Sequence, residues 1–173
     1  MRVTILHHPN DDDWLGVKQR ALVTVGKNVK NPPTEEWKES ILKARHSPIR
    51  YLQFSFLLED IPSYVSVHLV RHIHAQPYVK SQRNDRQSDY DRETAPQNAP
   101  VNMIWDINAE ELMVIANKRL CNQASTKTRD VVKMMCDEVI KVNPEFAEFL
   151  VPMCKYTGEC KEMYPCYDKE VKE

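Results

Sequence analysis

The chain has 173 residues, of which 42% are hydrophobic and 28% charged, and 24 Lys and Arg against 25 Asp and Glu give a formal net charge of −1. This length suits one domain with a full hydrophobic core. Because the net charge is close to zero, the protein as a whole is not attracted to nucleic acid or to a membrane surface. A site that binds a polyanion would have to be a local cluster of basic side chains. The three glycines, Gly16, Gly26 and Gly158, lie far apart. Neither a GxGxxG turn nor a GxxxxGK[ST] loop can be written, which excludes Rossmann and P-loop nucleotide binding.

Targeting signals are not recognisable in the sequence. The segment 1–13 lacks the apolar stretch of a signal peptide, and no apolar run approaches the ~18 residues that a membrane span needs. The five cysteines are an odd number, which predicts reduced thiols in a chain without an export signal. We therefore expect a cytoplasmic protein with no membrane partner.

The first third of the chain predicts a strand followed by two helices. Residues 1–7 are typical of a short strand. Asp12 or Asp13 is expected to cap a helix that stops at Gly26, and Thr34 is expected to cap a second helix.

The middle of the chain is less regular. Apolar and polar residues alternate over 51–58, which predicts a strand. The segment 61–74 fits a helix, with Pro62 in its first turn, or a strand. From 77 to 100 the chain is very polar and has no core-forming periodicity.

Two further helices are predicted after this polar segment. The first begins at Asn108, with Glu111 completing a capping-box pattern, and the second spans about 126–142 and ends before Pro144. With no internal repeat or linker, we expect one α+β domain over 1–173, with a mainly antiparallel sheet and packed helices.

The segment 71–83 concentrates side chains that bind anions. It brings Arg71, His72, Lys80, Ser81 and Arg83 close together in sequence. If residues 79–83 are extended, the side chains of Ser81 and Arg83 point to the same side of the strand. A serine hydroxyl and an arginine guanidinium together would bind phosphate oxygens well. The alternative is a solvated charged loop, in which these cations pair with the acidic residues just downstream, Asp85, Asp89, Asp91 and Glu93.

The order of several motifs resembles that of the flavin-dependent thymidylate synthases. Arg71-His72-Ile73, seven residues and then Ser81 resemble that family's RHR-x7-S motif. The similarity extends from about residue 46 to 130 and includes these further stretches: His46-Ser47-Pro48, Phe54-Ser55-Phe56, Asn108-Ala109-Glu110-Glu111-Leu112-Met113, Asn117-Lys118-Arg119 and Gln123-Ala124.

The resemblance implies an enzyme that methylates dUMP to dTMP without a cysteine nucleophile. Its cofactor would be FAD, bound between the subunits of a homotetramer, and its other substrates methylenetetrahydrofolate and NADPH. Carried over by position, the flavin would be contacted by Ser47, Arg71, His72 and Asn108. The nucleotide would be held by His68, Arg71, Ser81 and Arg83. Arg119 would face the pyrimidine and assist its ionisation, as the catalytic residue.

The spacing of Asn108 and Arg119 is compatible with these roles. Eleven residues at 3.6 residues per turn place them ~20° from the same helix face. A helix that begins at Asn108 is also expected to present free N–H groups and a positive dipole end to an anion.

Four positions depart from the family pattern: Ile73, Val79, Asn102 and Glu110. Three of them replace an arginine and one, Val79, replaces a glutamate. Lys80 or Arg86 is a candidate replacement for a lost cation. These changes leave open a divergent member that acts on another uracil nucleotide, or a non-catalytic nucleotide- or RNA-binding module that uses the segment 71–92. No nucleic acid partner is expected of the enzyme.

Three cysteines, Cys154, Cys160 and Cys166, lie in a tail at about 152–173. Their C-x5-C-x5-C spacing differs from the CxxC spacing of a zinc ribbon. Ordinary reduced thiols are the expectation and no metal is assigned, although a zinc ion with a fourth ligand from elsewhere is the alternative.

Overall fold

Four antiparallel strands form one sheet in the order β1-β2-β4-β3. The structure is a computed structural model and describes residues 1–83, 85 and 91–166. The strands are β1 Arg2–His7, β2 Gln53–Pro62, β3 Ala75–Val79 and β4 Pro100–Asn108. The helices are α1 Asp11–Val23, α2 Glu35–Lys43, α3 Ser63–Leu69, α4 Ala109–Arg119, α5 Thr126–Val142 and α6 Met153–Thr157, with 3-10 helices at Ser47–Tyr51 and Pro144–Phe146.

One face of the sheet packs against the helices and forms one side of the hydrophobic core. Every second residue of the two central strands is buried there, because successive side chains of a strand alternate between its faces: Phe54, Phe56, Leu58, Met103, Trp105 and Ile107. The helix α5 packs against β1 and β2, and α4 packs against α5. The predicted α+β class with an antiparallel sheet is confirmed.

The strands β3 and β4 are not among the elements predicted from the sequence. β4 carries a clear alternation of buried and exposed positions from Val101 to Ile107, but it follows a long polar segment and begins at Pro100, a residue that cannot donate a ladder hydrogen bond. β3 begins at Ala75, directly after the segment 61–74, and contains Pro77. It is an edge strand, where proline is tolerated. The ambiguous segment 61–74 contains the short helix α3, after Pro62.

The cap of α1 differs from the predicted one. Asn10, and not Asp12 or Asp13, is the N-cap: its side-chain oxygen accepts the backbone N–H of Asp12 at 2.8 Å and of Asp13 at 3.1 Å. The carboxylate of Asp13 accepts the backbone N–H of Asn10 at 3.0 Å, which completes a capping box. Gly26 does end this segment, with φ 67°, because a left-handed residue after a helix favours glycine.

Substitution of Asn10 by alanine is expected to lower the free energy of unfolding by about 1 kcal/mol, the usual value of an N-cap side chain. Asp12→Ala is the matched control, because the Asp12 side chain makes no cap bond, and it is expected to have a smaller effect. Urea unfolding of both variants measures the difference. An equal loss in the two would contradict the assigned cap.

Thr34 caps α2 as predicted, and its side chain accepts the N–H of Trp37 at 3.3 Å. The predicted helix at 126–142 matches α5. Among the described residues, no helix has both the length and the apolar character needed to cross a bilayer.

Candidate active site

A cluster of basic side chains lies where the end of α3 meets the end of α4. It consists of His68, Arg71, His72 and Arg119. The Arg119 Nε donates to the His72 Nε2 at 3.2 Å, and its Nη2 donates to the backbone oxygen of His68 at 3.1 Å. The structure therefore brings together four of the residues that the sequence predicts for the flavin, the nucleotide and the pyrimidine.

Both ring nitrogens of His72 are engaged by the protein. The Nδ1 lies 2.9 Å from the Oε1 of Glu111, and the Nε2 accepts from Arg119. Its side chain is only 8% exposed and that of Glu111 only 9%. Burial, the largest cause, lowers the pKa of His72, with Arg119 and Lys118 acting in the same direction against Glu111. His72 is therefore a buried neutral link between Glu111 and Arg119, which argues against the predicted contact with the flavin.

The cluster has an excess of positive charge. Burial lowers the pKa of Arg119, and the nearby charge of Arg71 lowers it further. The pKa of His68 is lowered by burial and then by these two arginines, while its Nδ1 lies 2.9 Å from the Thr128 hydroxyl. Within the described part of the chain neither arginine has a carboxylate partner at ion-pair distance. Such an arrangement attracts an anionic ligand.

A second basic feature is a groove of about 260 Å³ between α3 and the residues that follow β3. Its polar lining residues are Ser63, Ser66, Lys80, Gln82, Arg83 and Arg92. The backbone N–H of Lys80 donates to Asn102 O at 2.8 Å, which extends the β3–β4 pairing by one residue. The pairing ends there, because residues 80–83 are not assigned to a strand.

The Ser81 Oγ accepts the Arg83 backbone N–H at 3.3 Å. The Arg83 guanidinium, however, binds Asp85 through two hydrogen bonds of 2.9 and 2.8 Å. The ion-pair alternative is therefore correct for this arginine. Both partners are mostly exposed, and exposed ion pairs contribute only ~0–1 kcal/mol.

A third groove, of about 340 Å³, lies at the start of α4 and is lined by Arg50, His74, Asn108, Glu110, Glu111 and Val114. Asn108 is the N-cap of α4, as predicted, and accepts the Glu111 N–H at 2.9 Å. The Ala109 N–H donates to Leu52 O at 2.9 Å. Two of the N–H groups expected to be free at this helix end are thus already bonded. Ser47 is exposed at the start of its 3-10 helix.

Comparisons with known proteins agree with this architecture. The family model described as thymidylate synthase complementing protein matches residues 87–145. Thymidylate synthase X from Helicobacter pylori, solved with FAD and dUMP, superposes with a TM-score of 0.66 at 16% identity, over 79% of this chain and 92% of that one. A second structure, titled flavin-dependent thymidylate synthase ThyX from the same organism and complexed with FAD and dUMP, gives a TM-score of 0.63 at 18% identity, over 79% and 93%. No curated protein sequence matches the chain.

The chain has the fold of the flavin-dependent thymidylate synthases. The family resemblance predicted from the motifs is confirmed, and so is the fold that it implies.

Two of the four positions that depart from the thymidylate synthase pattern, Asn102 and Glu110, make defined contacts in the structure. Asn102 accepts the backbone N–H of Asp60 at 3.0 Å, and Asp60 has φ 54° where the β2–β4 register shifts. Asn102 therefore stabilises an irregularity of the sheet. Ile73 is 79% exposed in the turn after α3. Glu110 forms an ion pair with Arg50.

Arg50 and Glu111 are the residues of this thymidylate synthase fold that the sequence predictions did not assign to the site. Arg50 provides a cation in the groove at the start of α4, where Glu110 stands in place of the arginine of the family pattern. Its signal in the sequence is weak, because it lies sixty positions before its partner. Arg86, a predicted replacement, lies outside the described residues.

The tail thiols form a separate feature of the fold. Cys154, Cys160 and Cys166 line one cavity of about 130 Å³ together with Cys121. Among the described residues no group of three or more His, Cys, Asp or Glu side chains is arranged to hold a metal ion. Cys136 differs from these four, because burial raises the pKa of its thiol to about 12.

A native thiol assay is expected to label four of the five cysteines. Cys136 is 2% exposed and its raised pKa disfavours the reactive thiolate, so it should react only after unfolding. The measurement is a count with Ellman's reagent before and after denaturation. Cys136→Ala is the control, which should lower the denatured count by one and leave the native count at four. Five reactive thiols in the native protein would contradict the assignment.

Proposed function

We propose that the chain is a flavin-dependent thymidylate synthase that methylates dUMP to dTMP, with methylenetetrahydrofolate as one-carbon donor and NADPH as reductant. The single observation that supports the proposal is the cluster of His68, Arg71, His72 and Arg119, which belongs to sequence stretches that resemble the family's motifs. The H. pylori structures of the same fold were solved with FAD and dUMP.

The donor groups of Ser47, Arg71 and Asn108, together with those that line the groove at the start of α4, fit FAD. Ser47 and Arg71 are exposed and Asn108 is half-buried, and the amide nitrogen of Asn108 has no partner among the described residues. Arg50 and His74 add polar groups that suit a diphosphate. Of the predicted flavin ligands only His72 does not fit, because its two nitrogens are already bonded. Bound FAD would relay the one-carbon unit and supply the hydride.

The phosphate of the nucleotide is assigned to Ser81 and Arg83, with Lys80 in the same groove. Asp85 competes for Arg83 in the structure described here. A phosphate dianion offers more charge than one carboxylate and forms bidentate bonds with a guanidinium, and the Arg83–Asp85 pair is exposed and therefore weak. The phosphate would displace Asp85.

Arg119 is assigned to the uracil ring. An arginine has five N–H donors, and the Nε and Nη2 bonds to His72 and His68 use two of them, which leaves three for a ligand. A guanidinium remains protonated at neutral pH even with a lowered pKa. Arg119 would therefore stabilise the negative charge that develops on the uracil when its N3 proton is lost, in a partly desolvated site where such stabilisation is strong.

The assembly and the compartment complete the proposal. Two exposed apolar side chains, Tyr78 of β3 and Ile104 of β4, are cross-strand partners, and Ile73 is exposed in the turn after α3. An exposed apolar pair at the edge of the sheet suits contact with another chain, and we assign this edge to the homotetramer in which FAD would be shared. The five free cysteines suit a reducing compartment, and we assign the enzyme to the cytoplasm.

Two measurements test the function. The purified protein should be yellow with flavin absorbance, and its gene should support growth of a thymidine-requiring strain without thymidine. A flavoprotein that converts another uracil nucleotide and not dUMP would correct the substrate. A colourless protein that takes up no FAD, and that binds RNA with a steep salt dependence, would replace the enzyme by a binding module.

A further inference from the structure

We propose that Glu111 is a positioning residue, which holds Arg119 in place through His72. Glu111 belongs neither to the ligands implied by the family motif nor to the residues assigned above to the nucleotide. The proposal rests on the proposed function for the role of Arg119 toward uracil, but the arrangement itself is a property of this chain's own side chains.

The hydrogen bonds of the His72 ring show which of its two nitrogens carries the proton. An arginine Nε–H can only donate, so the His72 Nε2, 3.2 Å away, has to be the acceptor and carries no proton. The remaining proton of the neutral ring is then on Nδ1 and is donated to the Glu111 carboxylate at 2.9 Å. A carboxylate at Nδ1 therefore selects the tautomer that can accept from Arg119.

Glu111 is free for this task because the capping box of α4 is only half formed. At this position of a helix a glutamate usually reaches back to the N-cap N–H. Here Asn108 accepts the Glu111 N–H, but the Glu111 side chain turns inward to His72 and is only 9% exposed. Burial of a carboxylate is costly unless it is hydrogen-bonded, so the bond to His72 also explains how this side chain is accommodated.

The charges around His72 make the carboxylate necessary. Arg119 and Lys118 from α4 act on the ring as positive charges, and Trp105 packs beside it from β4, with ring centroids 6.3 Å apart. Without an acceptor at Nδ1 the ring would be free to carry its proton on Nε2. Two N–H groups, of His72 and Arg119, would then face each other, and the guanidinium would have to move.

The test uses the tautomer and two variants. In protein labelled with 15N-histidine and 15N-arginine, and with the His72 signals assigned through His72→Gln, we expect a protonated Nδ1 and an unprotonated Nε2. Glu111→Gln retains an oxygen that accepts the Nδ1 proton, so the tautomer and an exchange-protected Arg119 Nε–H signal should persist. In Glu111→Leu the proton should move to Nε2 and the Arg119 signal should lose its protection.

Turnover provides the second readout. Because a misplacement of ~1 Å costs about 10²-fold in rate, kcat for dUMP should fall by about that factor in Glu111→Leu, with a smaller change in KM, and recover most of the loss in Glu111→Gln. Glu145→Leu is the matched control: Glu145 is half-buried and accepts the Trp14 Nε1 N–H at 2.8 Å, far from the cluster in the fold. It should lose stability but not kcat.

The outcomes separate this proposal from the proposed function. An Nε2-protonated His72 in the wild-type protein, or wild-type kcat in Glu111→Leu, would overturn the positioning role while thymidylate synthesis stands. The expected tautomers in a protein that binds no FAD and converts no dUMP would support the positioning role and overturn the function. If Glu111→Leu does not fold, the tautomer of His72 in the wild-type protein and in Glu111→Gln still tests the positioning role, because protonation of Nε2 in either would contradict it.

Discussion

Replacement of Arg119 by alanine is expected to lower the turnover of dUMP by about 10²–10³-fold, the usual effect of removing one preorganised donor from a developing negative charge, while largely preserving flavin binding. Arg119 is the cation of the cluster held by two protein acceptors, His72 Nε2 and His68 O. It is therefore oriented before a ligand binds, and alanine removes that orientation together with the charge.

The measurement for Arg119→Ala is kcat and KM for dUMP beside the flavin absorbance of the purified variant. Arg2→Ala is the control, because Arg2 is an exposed arginine on β1, paired with Glu59 at 2.6 Å, at the edge of the sheet opposite β3. It should retain full activity. Normal turnover in Arg119→Ala would show that another group stabilises the ionised uracil, and loss of bound flavin would show that Arg119 holds the cofactor.

Phe146→Ala is expected to lower the free energy of unfolding by about 3–5 kcal/mol, the usual range for a buried phenylalanine. Phe146 is fully buried in the short 3-10 helix after α5. Its ring meets that of Phe54 edge-on at a centroid distance of 5.4 Å and lies 6.1 Å from that of Trp14. Alanine would remove the ring contacts that join the end of α5 to the strand β2 and the helix α1.

Denaturant unfolding measures this loss as a shift of the midpoint at constant m. Phe146→Leu is the matched control, because it keeps most of the apolar volume and should cost less than the alanine variant. A loss below about 1 kcal/mol in Phe146→Ala would contradict the packing, since a cavity of this size at a central contact cannot be neutral.

The sequence predicts those elements whose signal is local. Thr34 and Asn108 are recognisable caps because a cap is defined by a side chain and an N–H a few residues away. The helix at 126–142 is recognisable from its apolar spacing and from Pro144. The cap at Asn10 is hard to recognise, because three aspartates follow it and aspartate satisfies the same local rule as asparagine.

The missed elements depend on partners that are distant in sequence. The strand β4 is stabilised by pairing with β2 and β3 on its two sides, and its alternation is short enough to be outweighed by the polar residues before it. The ion pair of Arg50 with Glu110 and the bond of His72 with Glu111 join residues 60 and 39 positions apart. No periodicity connects residues at such separations.

The sequence by itself determined the class of fold and the residue types of the candidate site. Three scattered glycines exclude a backbone phosphate cradle, and the motif resemblance selects the Arg71–Arg83 segment and Arg119 as candidates for binding an anion. Only the tertiary structure decided how these side chains are used. It turns His72 inward to Glu111, pairs Arg83 with Asp85 and brings Arg50 beside Glu110. The physical reason is that a side chain's role depends on its partners and its burial, which are set when α3, α4 and the sheet pack together.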